Sequence, residues 1–233
     1  MKKLLLITFS AISINSFAQI SIDATDMAAI GNTINRKADT LTPLTGPGPA
    51  GANQTWIMTN VSQYVNSENT SVVTVASTPY SSSFPNSNEA MTNDNVNYVY
   101  LKQTNSYLTT QGGAGDLLNL GNTIVAPFNP DLTLHNFPRT YGSSYTDTYG
   151  VDVTINGSII SSLVNQIRYK RVSTVYDNTD GWGQITTPVG TYDVLRVKRE
   201  DHSTDTIWIL PTIGFPPAWQ VYKTTKDTAF SYQ

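Results

Sequence analysis

The segment from Asp180 to Glu200, DGWGQITTPVGTYDVLRVKRE, most constrains what this chain can fold into. It predicts two strands, 183–187 and 191–199, joined by a tight Pro-Val-Gly turn, because proline fixes φ and glycine accepts a positive φ. The Thr, Ile, Tyr and Val residues of both strands favour a pleated surface. Val194 and Leu195 point to opposite faces of the second strand, so both faces are expected to be covered.

The rest of the chain repeats this pattern of short β-branched and aromatic runs separated by turn signals. Residues 151–155 alternate and are followed by Asn156-Gly157, the preferred dipeptide of a two-residue hairpin turn, with the return strand beginning at Ser158. Residues 96–101 and 107–110 predict a second hairpin.

Other segments predict irregular structure. The polar stretch 78–95 reads as a loop, residues 112–115 read as a flexible glycine-rich break, and the prolines within 124–138 favour an edge strand. A single helical turn is predicted at 26–31. The chain is therefore predicted to be all-β, an antiparallel meander that forms a β-sandwich or an open half-barrel with little helix.

The N-terminus predicts export. Lys2 and Lys3 precede a short apolar run, and small residues lead to Ala18-Gln19, which together form a secretory signal peptide over 1–18. The apolar run is shorter than a membrane span. Residues 19–233 then form one all-β domain, with a candidate subdivision near 140–145. The expected location is extracellular or at the cell surface, with the periplasm as the alternative.

Composition limits the chemistry. The sequence has no cysteine, so it offers no disulfide and no thiolate ligand or nucleophile. Charged residues make up only 13% of the chain and the net charge is −3, which does not match the basic surface of nucleic-acid binders. No transmembrane segment, metal site or cofactor is expected.

Several segments together resemble the N-terminal regions of secreted Bacteroidota proteins that use the type IX secretion route. They are Ser16-Phe17-Ala18-Gln19, the run from Gly46 to Trp56, residues 137–142 (FPRTYG), and the run from Gly181 to Val197. The resemblance implies a β-domain of unassigned activity, usually followed by a C-terminal β-sandwich sorting domain, and this sequence stops at Gln233 without one. It implies no catalytic residues. More loosely, the Thr-Pro-x-Gly turn and the later strand ending at Pro211 look like the sheets of periplasmic lipoprotein-carrier half-barrels.

Two sets of residues are candidates for binding. Arg168 and Lys170 share one strand face, as do Arg196 and Lys198, and neighbouring strands would align all four into a basic stripe for an acidic glycan. Exposed aromatic rings serve as platforms for sugars. Among the four tryptophans, Trp56 and Trp208 are expected in the core, whereas Trp182 and Trp219 are the candidate exposed rings.

Catalytic patterns are weak. The two histidines, His135 and His202, lie far apart in loops, and no Gly-x-Ser-x-Gly motif occurs. The loop 176–181 lacks the first and last carboxylates of a calcium loop. Asp193, between Tyr192 and Val194 in a predicted strand, is the candidate carboxylate for acid/base chemistry, and a solvated strand position or a cross-strand partner of a basic residue is the simpler interpretation.

Three functions follow as hypotheses. The first is a secreted, non-catalytic β-domain with a binding or structural role. The second is a half-barrel carrier of a hydrophobic or lipid ligand, with a pocket lined by Ile185, Leu195, Trp208 and Val221. The third is a carbohydrate-binding or carbohydrate-active domain, which as an enzyme requires two carboxylates about 5–10 Å apart beside an exposed ring. The oligomeric state stays open.

Overall fold

A computed structural model describes residues 20–39, 46–61, 64–212 and 219–233. The predicted signal peptide and its cleavage site at Ala18-Gln19 lie outside these ranges. The described part is all-β, with strands β1 Ser21–Ile22, β2 Thr33–Asp39, β3 Gly51–Ile57, β4 Tyr64–Val73, β5 Glu89–Thr92, β6 Tyr98–Gln103, β7 Tyr107–Gly115, β8 Ile124–Asn136, β9 Arg139–Thr140, β10 Ser144–Asn156, β11 Val164–Thr187, β12 Gly190–Pro211 and β13 Trp219–Tyr232.

Helical structure in the described ranges is confined to short 3₁₀ turns, at Ala24–Asp26, Val75–Ser77, Ser81–Ser83 and Gly157–Ile159. None of the described helices has the length and apolar composition needed to cross a lipid bilayer. The helical turn predicted at 26–31 is wrong, because the turn lies earlier and ends at Asp26.

Within the described ranges, eleven strands form one open sheet in the order β13-β12-β11-β10-β8-β7-β6-β5-β4-β2, and β3 adds to β11. All pairs in this path are antiparallel, whereas β3 runs parallel to β11. Strands β1 and β9 form a separate two-stranded sheet. The prediction of an antiparallel all-β fold, sandwich-like or half-barrel-like, is confirmed.

The predicted hairpin at 183–199 is confirmed and is the end of a much longer one. Strands β11 and β12 pair from Val164–Pro211 to Thr187–Gly190. Val194 is 6% exposed and Leu195 is fully buried, so both faces of β12 are covered at this end. The hairpin predicted from residues 96–110 is also present, as β6 and β7.

Two glycine-based predictions are wrong in detail. Asn156-Gly157 does not form a two-residue turn, because Gly157 begins a 3₁₀ turn and β11 starts only at Val164. The glycines at 112–115 are not a flexible break but part of β7. A Cβ at Gly112 would lie 2.3 Å from the Ala126 carbonyl oxygen, so only glycine fits this close strand approach.

Strand β8 corrects the prediction of edge structure around Pro127 and Pro130. It lies between β7 and β10 and joins the N-terminal half of the sheet to the C-terminal half. Strand β5 corrects the loop predicted over 78–95.

The largest buried cluster connects the two halves of the molecule. Leu101 and Leu108 from β6 and β7 pack with Leu195 of β12, together with Ile22 and Phe137. The residues near 140–145 form the turn into β10, and Thr179 of β11 exchanges backbone hydrogen bonds with this turn.

A second cluster fills the N-terminal half. Tyr100 is fully buried and stacks on Phe84 with ring centroids 4.0 Å apart. The Tyr100 hydroxyl lies 2.7 Å from Thr78 Oγ1, so its polar end has a partner inside the core.

Candidate functional site

The predicted basic stripe is not assembled. Strands β11 and β12 are neighbours, as the stripe required, but Lys170 lies opposite Thr206 whereas Lys198 lies opposite Asn178. At about 3.3 Å per residue the two positions are about 26 Å apart along the sheet. Arg168 and Lys170 therefore lie at one end of the hairpin, and Arg196 and Lys198 lie toward the other.

Three of these four cations are engaged with carboxylates. Arg168 binds Asp152 through two hydrogen bonds of 2.7 and 2.5 Å, and Lys198 lies 2.6 Å from Glu200. Hydrogen bonds from Lys198 and then Lys226 lower the pKa of Glu200 to about 2. Lys170, the fourth cation, is exposed on the same face of β11 as Arg168.

Arg196, the third engaged cation, is almost fully buried and belongs to the structure of the domain. Its guanidinium lies 3.2 Å from Asp180, donates to the Gly48 carbonyl at 2.5 Å, and covers the Phe230 ring at 4.8 Å from the centroid. These contacts hold the loop before β3 against β12, so the guanidinium of Arg196 donates its hydrogen bonds to groups inside the domain.

Trp182 lines an open pocket of about 390 Å³ beside the tip of the β11–β12 hairpin. The ring is half-buried and packs against the cluster that contains Leu195, its cross-strand partner. The other lining residues are mostly amide or carboxylate side chains, and they are Ile20, Asn53, Gln54, Thr55, Gly183, Gln184 and Asp193.

The pocket exists because β3 runs parallel to the end of β11. A Cβ at Gly183 would lie 1.9 Å from the Gln54 carbonyl oxygen, so a glycine is required for the two backbones to approach. Asn53 holds a left-handed φ of 53°, which asparagine tolerates better than other side chains. These backbone features position Asn53, Gln54 and Thr55 around Trp182.

The polar side chains of the pocket include hydrogen-bond donors and acceptors. Gln184 Nε2 donates to Asp193 Oδ1 at 3.0 Å, and both side chains are exposed. Amide groups donate and accept, and a carboxylate accepts up to four hydrogen bonds, so the pair retains bonding capacity toward a ligand. Asp193 is the one carboxylate among the described residues that line this pocket.

A buried ion cluster that no sequence pattern indicated joins side chains of β9, β11 and β12. The Asp177 carboxylate lies 3.1 Å from Arg139 and 3.3 Å from Arg199, and the Asp177 and Arg139 side chains are 3% and 2% exposed. Arg199 also donates to the Thr133 carbonyl at 2.6 Å and to the Tyr145 hydroxyl at 2.7 Å. Burial raises the pKa of Tyr145 to about 12.

His135 lies next to this cluster, in the wall of a pocket of about 260 Å³. Burial, reinforced by the charges of Arg139 and Arg199, lowers the pKa of His135 to about 4. Its ring stacks on Phe137 at 5.9 Å, and its buried Nδ1 has no hydrogen-bond partner among the described residues. His135 is therefore a neutral, packed side chain at physiological pH.

The apolar pocket predicted for a carrier is wrong in its lining. Ile185 and Leu195 are buried in two separate clusters. Trp208 is half-buried beneath Arg168 at 5.2 Å, and Val221 projects from the opposite face of the sheet and is 54% exposed. Trp56 is buried as predicted, and the side chain of Trp219 lies outside the described residues.

A different apolar pocket, of about 450 Å³, lies on the N-terminal half of the sheet. Its rim is polar and includes Arg36, whose guanidinium donates to Thr70 at 3.0 Å. Its floor and walls are apolar, with contributions from Met91, Val99, Leu101, Leu108, Leu117 and Leu134.

In the described ranges, no group of three or more histidine, aspartate or glutamate side chains is placed to hold a metal ion. Comparison with known proteins found no family model, no curated protein and no solved structure that matches the chain.

Proposed function

We propose that this protein is a secreted or cell-surface β-domain, of the kind associated with type IX secretion in Bacteroidota, that binds a neutral glycan without catalysis. The observation that carries the proposal is the pocket in which Trp182 lies beside Asn53, Gln54, Gln184 and Asp193. A half-buried indole offers an apolar surface to a sugar ring, and the amides and the carboxylate provide hydrogen bonds to hydroxyl groups.

The lining favours binding over hydrolysis. Glycosidases place two carboxyl groups about 5–10 Å apart across the scissile bond. Asp193 is the one carboxylate among the described lining residues, whereas hydrolysis requires two. The hydrogen bond from Gln184 holds the Asp193 carboxylate in place, as is suitable for a hydrogen-bond acceptor in a binding site. A neutral ligand is favoured because no cationic side chain is among the described residues that line the pocket.

The test is a screen of the mature chain against neutral oligosaccharides, followed by calorimetry on the best ligand. Trp182→Ala is expected to raise the dissociation constant at least about tenfold, as for a buried aromatic contact. Gln184→Ala removes an exposed amide and is expected to raise it about fivefold, since a hydrogen bond contributes about 1 kcal/mol.

Tyr222→Ala provides the matched control, because Tyr222 is an aromatic residue of β13 that is 65% exposed and does not line the pocket. It is expected to bind as the parent does. Circular dichroism of Trp182→Ala separates loss of the contact from loss of the fold. Binding that survives both pocket variants, or an absence of binding to every glycan in the screen, would refute the proposal.

Export is the second part of the proposal, and it rests on the leader-like sequence that ends at Ala18. Cell fractionation and N-terminal sequencing of the product test it. A mature chain that begins at Gln19 in the medium or at the cell surface is the expected result. An intact Met1 terminus in the cytoplasm would contradict it.

A second candidate function is binding of an amphipathic ligand in the 450 Å³ pocket. Apolar side chains dominate the interior of this pocket, and polar side chains form its rim. Val99→Asp places a charge in this pocket at a residue that is 45% exposed and is expected to abolish binding of a fluorescent fatty acid. Val125→Asp, on strand β8 beyond β7 and outside the described lining of this pocket, is the control and is expected to leave binding unchanged. Equal binding by both variants, or none by the parent, would remove this candidate.

A further inference from the structure

Strand β13 forms one end of the sheet and presents a long edge. It contains 14 residues, and in the part of the chain that the structure describes it pairs only with β12. Its described side chains are largely exposed on both faces, including Val221 and Tyr222 at 54% and 65%. An edge of this length is a template for another strand.

The hydrogen-bond pattern identifies which backbone groups point outward. Gln233 and Leu195 exchange both backbone hydrogen bonds, at 2.9 and 2.8 Å, so odd-numbered residues in this register bond to β12. In an antiparallel ladder the alternate residues turn their N–H and C=O groups to the other side. The even-numbered residues, Gln220 through Tyr232, therefore carry the outward donors and acceptors.

The charges on β13 favour a particular partner. Asp227 lies directly opposite Asp201 of β12, and such like-charge pairs are unfavourable. Lys223 lies four residues away on the same face of the strand, since side chains alternate. Lys226 lies on the other face and is 3.3 Å from Glu200.

We propose that two copies of this chain associate through antiparallel pairing of β13 with β13, around a twofold axis at Thr225. A twofold axis normal to the sheet pairs residues of equal parity, and with the axis at Thr225 Lys223 of each copy faces Asp227 of the other. The outward groups of Thr224 then face those of Lys226. The pairs 222–228 and 220–230 follow, giving about twelve backbone hydrogen bonds in all.

Neighbouring registers lack this complementarity. An axis at Lys226 places that lysine against its own copy, and an axis at Thr224 places Asp227 against Val221. The Thr225 register alone among these three forms two opposite-charge pairs and relieves the contact between Asp227 and Asp201. The occupant that fits this edge is therefore a second copy of the same chain, which extends the sheet continuously across the dimer.

Sedimentation equilibrium of the mature chain tests the proposal, with a monomer–dimer equilibrium as the expected result. Lys223→Asp and Asp227→Lys each replace two attractive pairs by two repulsive ones. Each is expected to raise the dimer dissociation constant at least about tenfold. An equimolar mixture of the two variants is expected to form a heterodimer, and the double swap is expected to restore the homodimer.

Lys170→Asp is the matched control, because it makes the same charge change at an exposed site on β11, away from the edge, and it is expected to dimerise as the parent does. Amide hydrogen exchange supplies the register. Even-numbered amides from 222 to 228 are expected to gain protection with increasing concentration, whereas their odd-numbered neighbours are protected throughout.

A chain that stays monomeric at millimolar concentration would overturn the proposal. Dimerisation that ignores the charge swaps would do so too, as would concentration-dependent protection on β2 in place of β13. Each outcome is independent of glycan binding, because no residue of β13 is among the described residues that line the Trp182 pocket.

Discussion

Replacing Asp177 with asparagine tests how much of the fold depends on the buried ion cluster. The variant keeps the shape of the side chain and removes its charge, so Arg139 and Arg199 lose their shared counter-ion. Arg139 cannot reach water, because its side chain is 2% exposed. Removing one partner of a buried ion pair typically costs about 3–5 kcal/mol, because the other charge stays buried without compensation.

The free energy of unfolding of an ordinary domain is about 5–15 kcal/mol, so this loss is a large fraction of it. Urea denaturation followed by circular dichroism measures it. With a slope of about 2–3 kcal/mol per molar urea for a chain of this size, the midpoint is expected to fall by at least about 1 M.

Asp152→Asn is the matched control. Asp152 accepts two short hydrogen bonds from Arg168, but the two side chains are 42% and 51% exposed. Water solvates both groups after the substitution, so the midpoint is expected to stay the same within error. Equal midpoints for Asp177→Asn and Asp152→Asn would refute the reasoning that burial sets the cost.

A double-mutant cycle identifies the mechanism. Arg139→Met alone leaves Asp177 with one arginine, whereas Arg139→Met with Asp177→Asn removes both members of the pair. The double variant is expected to be less destabilised than the sum of the single variants, since replacing a whole buried pair is often nearly neutral. Strict additivity would show that the two side chains act independently.

Three further predictions use other parts of the core. The pKa of His135 is held near 4 by burial and the nearby arginines, whereas its unfolded value is about 6.5. The unfolded state therefore binds the extra proton between these values, so the free energy of unfolding should fall by about 3 kcal/mol as the pH drops from 6.5 to 4. His135→Gln should flatten that slope in urea titrations, and an unchanged slope would contradict the assignment. Gly183→Ala places a Cβ 1.9 Å from the Gln54 carbonyl oxygen and should lower the free energy of unfolding by about 2–3 kcal/mol. The thermal midpoint should fall accordingly, and an unchanged midpoint would contradict the docking of β3 against β11. Tyr100→Phe removes the hydroxyl that meets Thr78 at 2.7 Å and should cost about 1 kcal/mol in urea denaturation, where no loss would mean that the contact adds no stability.

Local sequence patterns predicted the hairpins at 183–199 and 96–110, although not the turn at Asn156-Gly157. In the 183–199 hairpin, β-branched residues alternate around a Pro-Val-Gly turn, and both the strand propensity and the turn geometry depend on neighbouring residues alone. The burial of Leu195 follows from the same alternation and was therefore accessible from the sequence. Trp182 was expected as an exposed ring outside the predicted strands, but it lies within β11 and is half-buried against the cluster that contains Leu195.

The rest depends on contacts between distant residues. The parallel docking of β3 brings Asn53 and Gln54 to Trp182, and no local signal predicts a parallel pair whose members are separated by more than a hundred residues. Pro127 and Pro130 suggested an edge, yet β8 is internal because Gly112 lets β7 pass close beside it. In the same way, residues 177–181 read as a turn cluster although they continue β11.

The buried arginines lie where the ladder of β11 changes neighbours. Strand β10 pairs with β11 as far as Asn178, a bulge follows between Thr179 and Gly181, and β3 pairs from Gly181 onward. Backbone carbonyls near such a change lose regular partners, and an unpaired buried carbonyl is costly. A guanidinium has five donors in a rigid fork and serves a carbonyl and a carboxylate together.

Arg199 and Arg196 are placed for that role on either side of the bulge. Arg199 donates to the Thr133 carbonyl and contacts Asp177, and Arg196 donates to the Gly48 carbonyl and contacts Asp180. A lysine has no such fork, so a conservative exchange at either position would leave one acceptor unpaired. Arg196, which the sequence suggested as part of a binding stripe, instead holds the loop before β3 against β12 beside the Trp182 pocket.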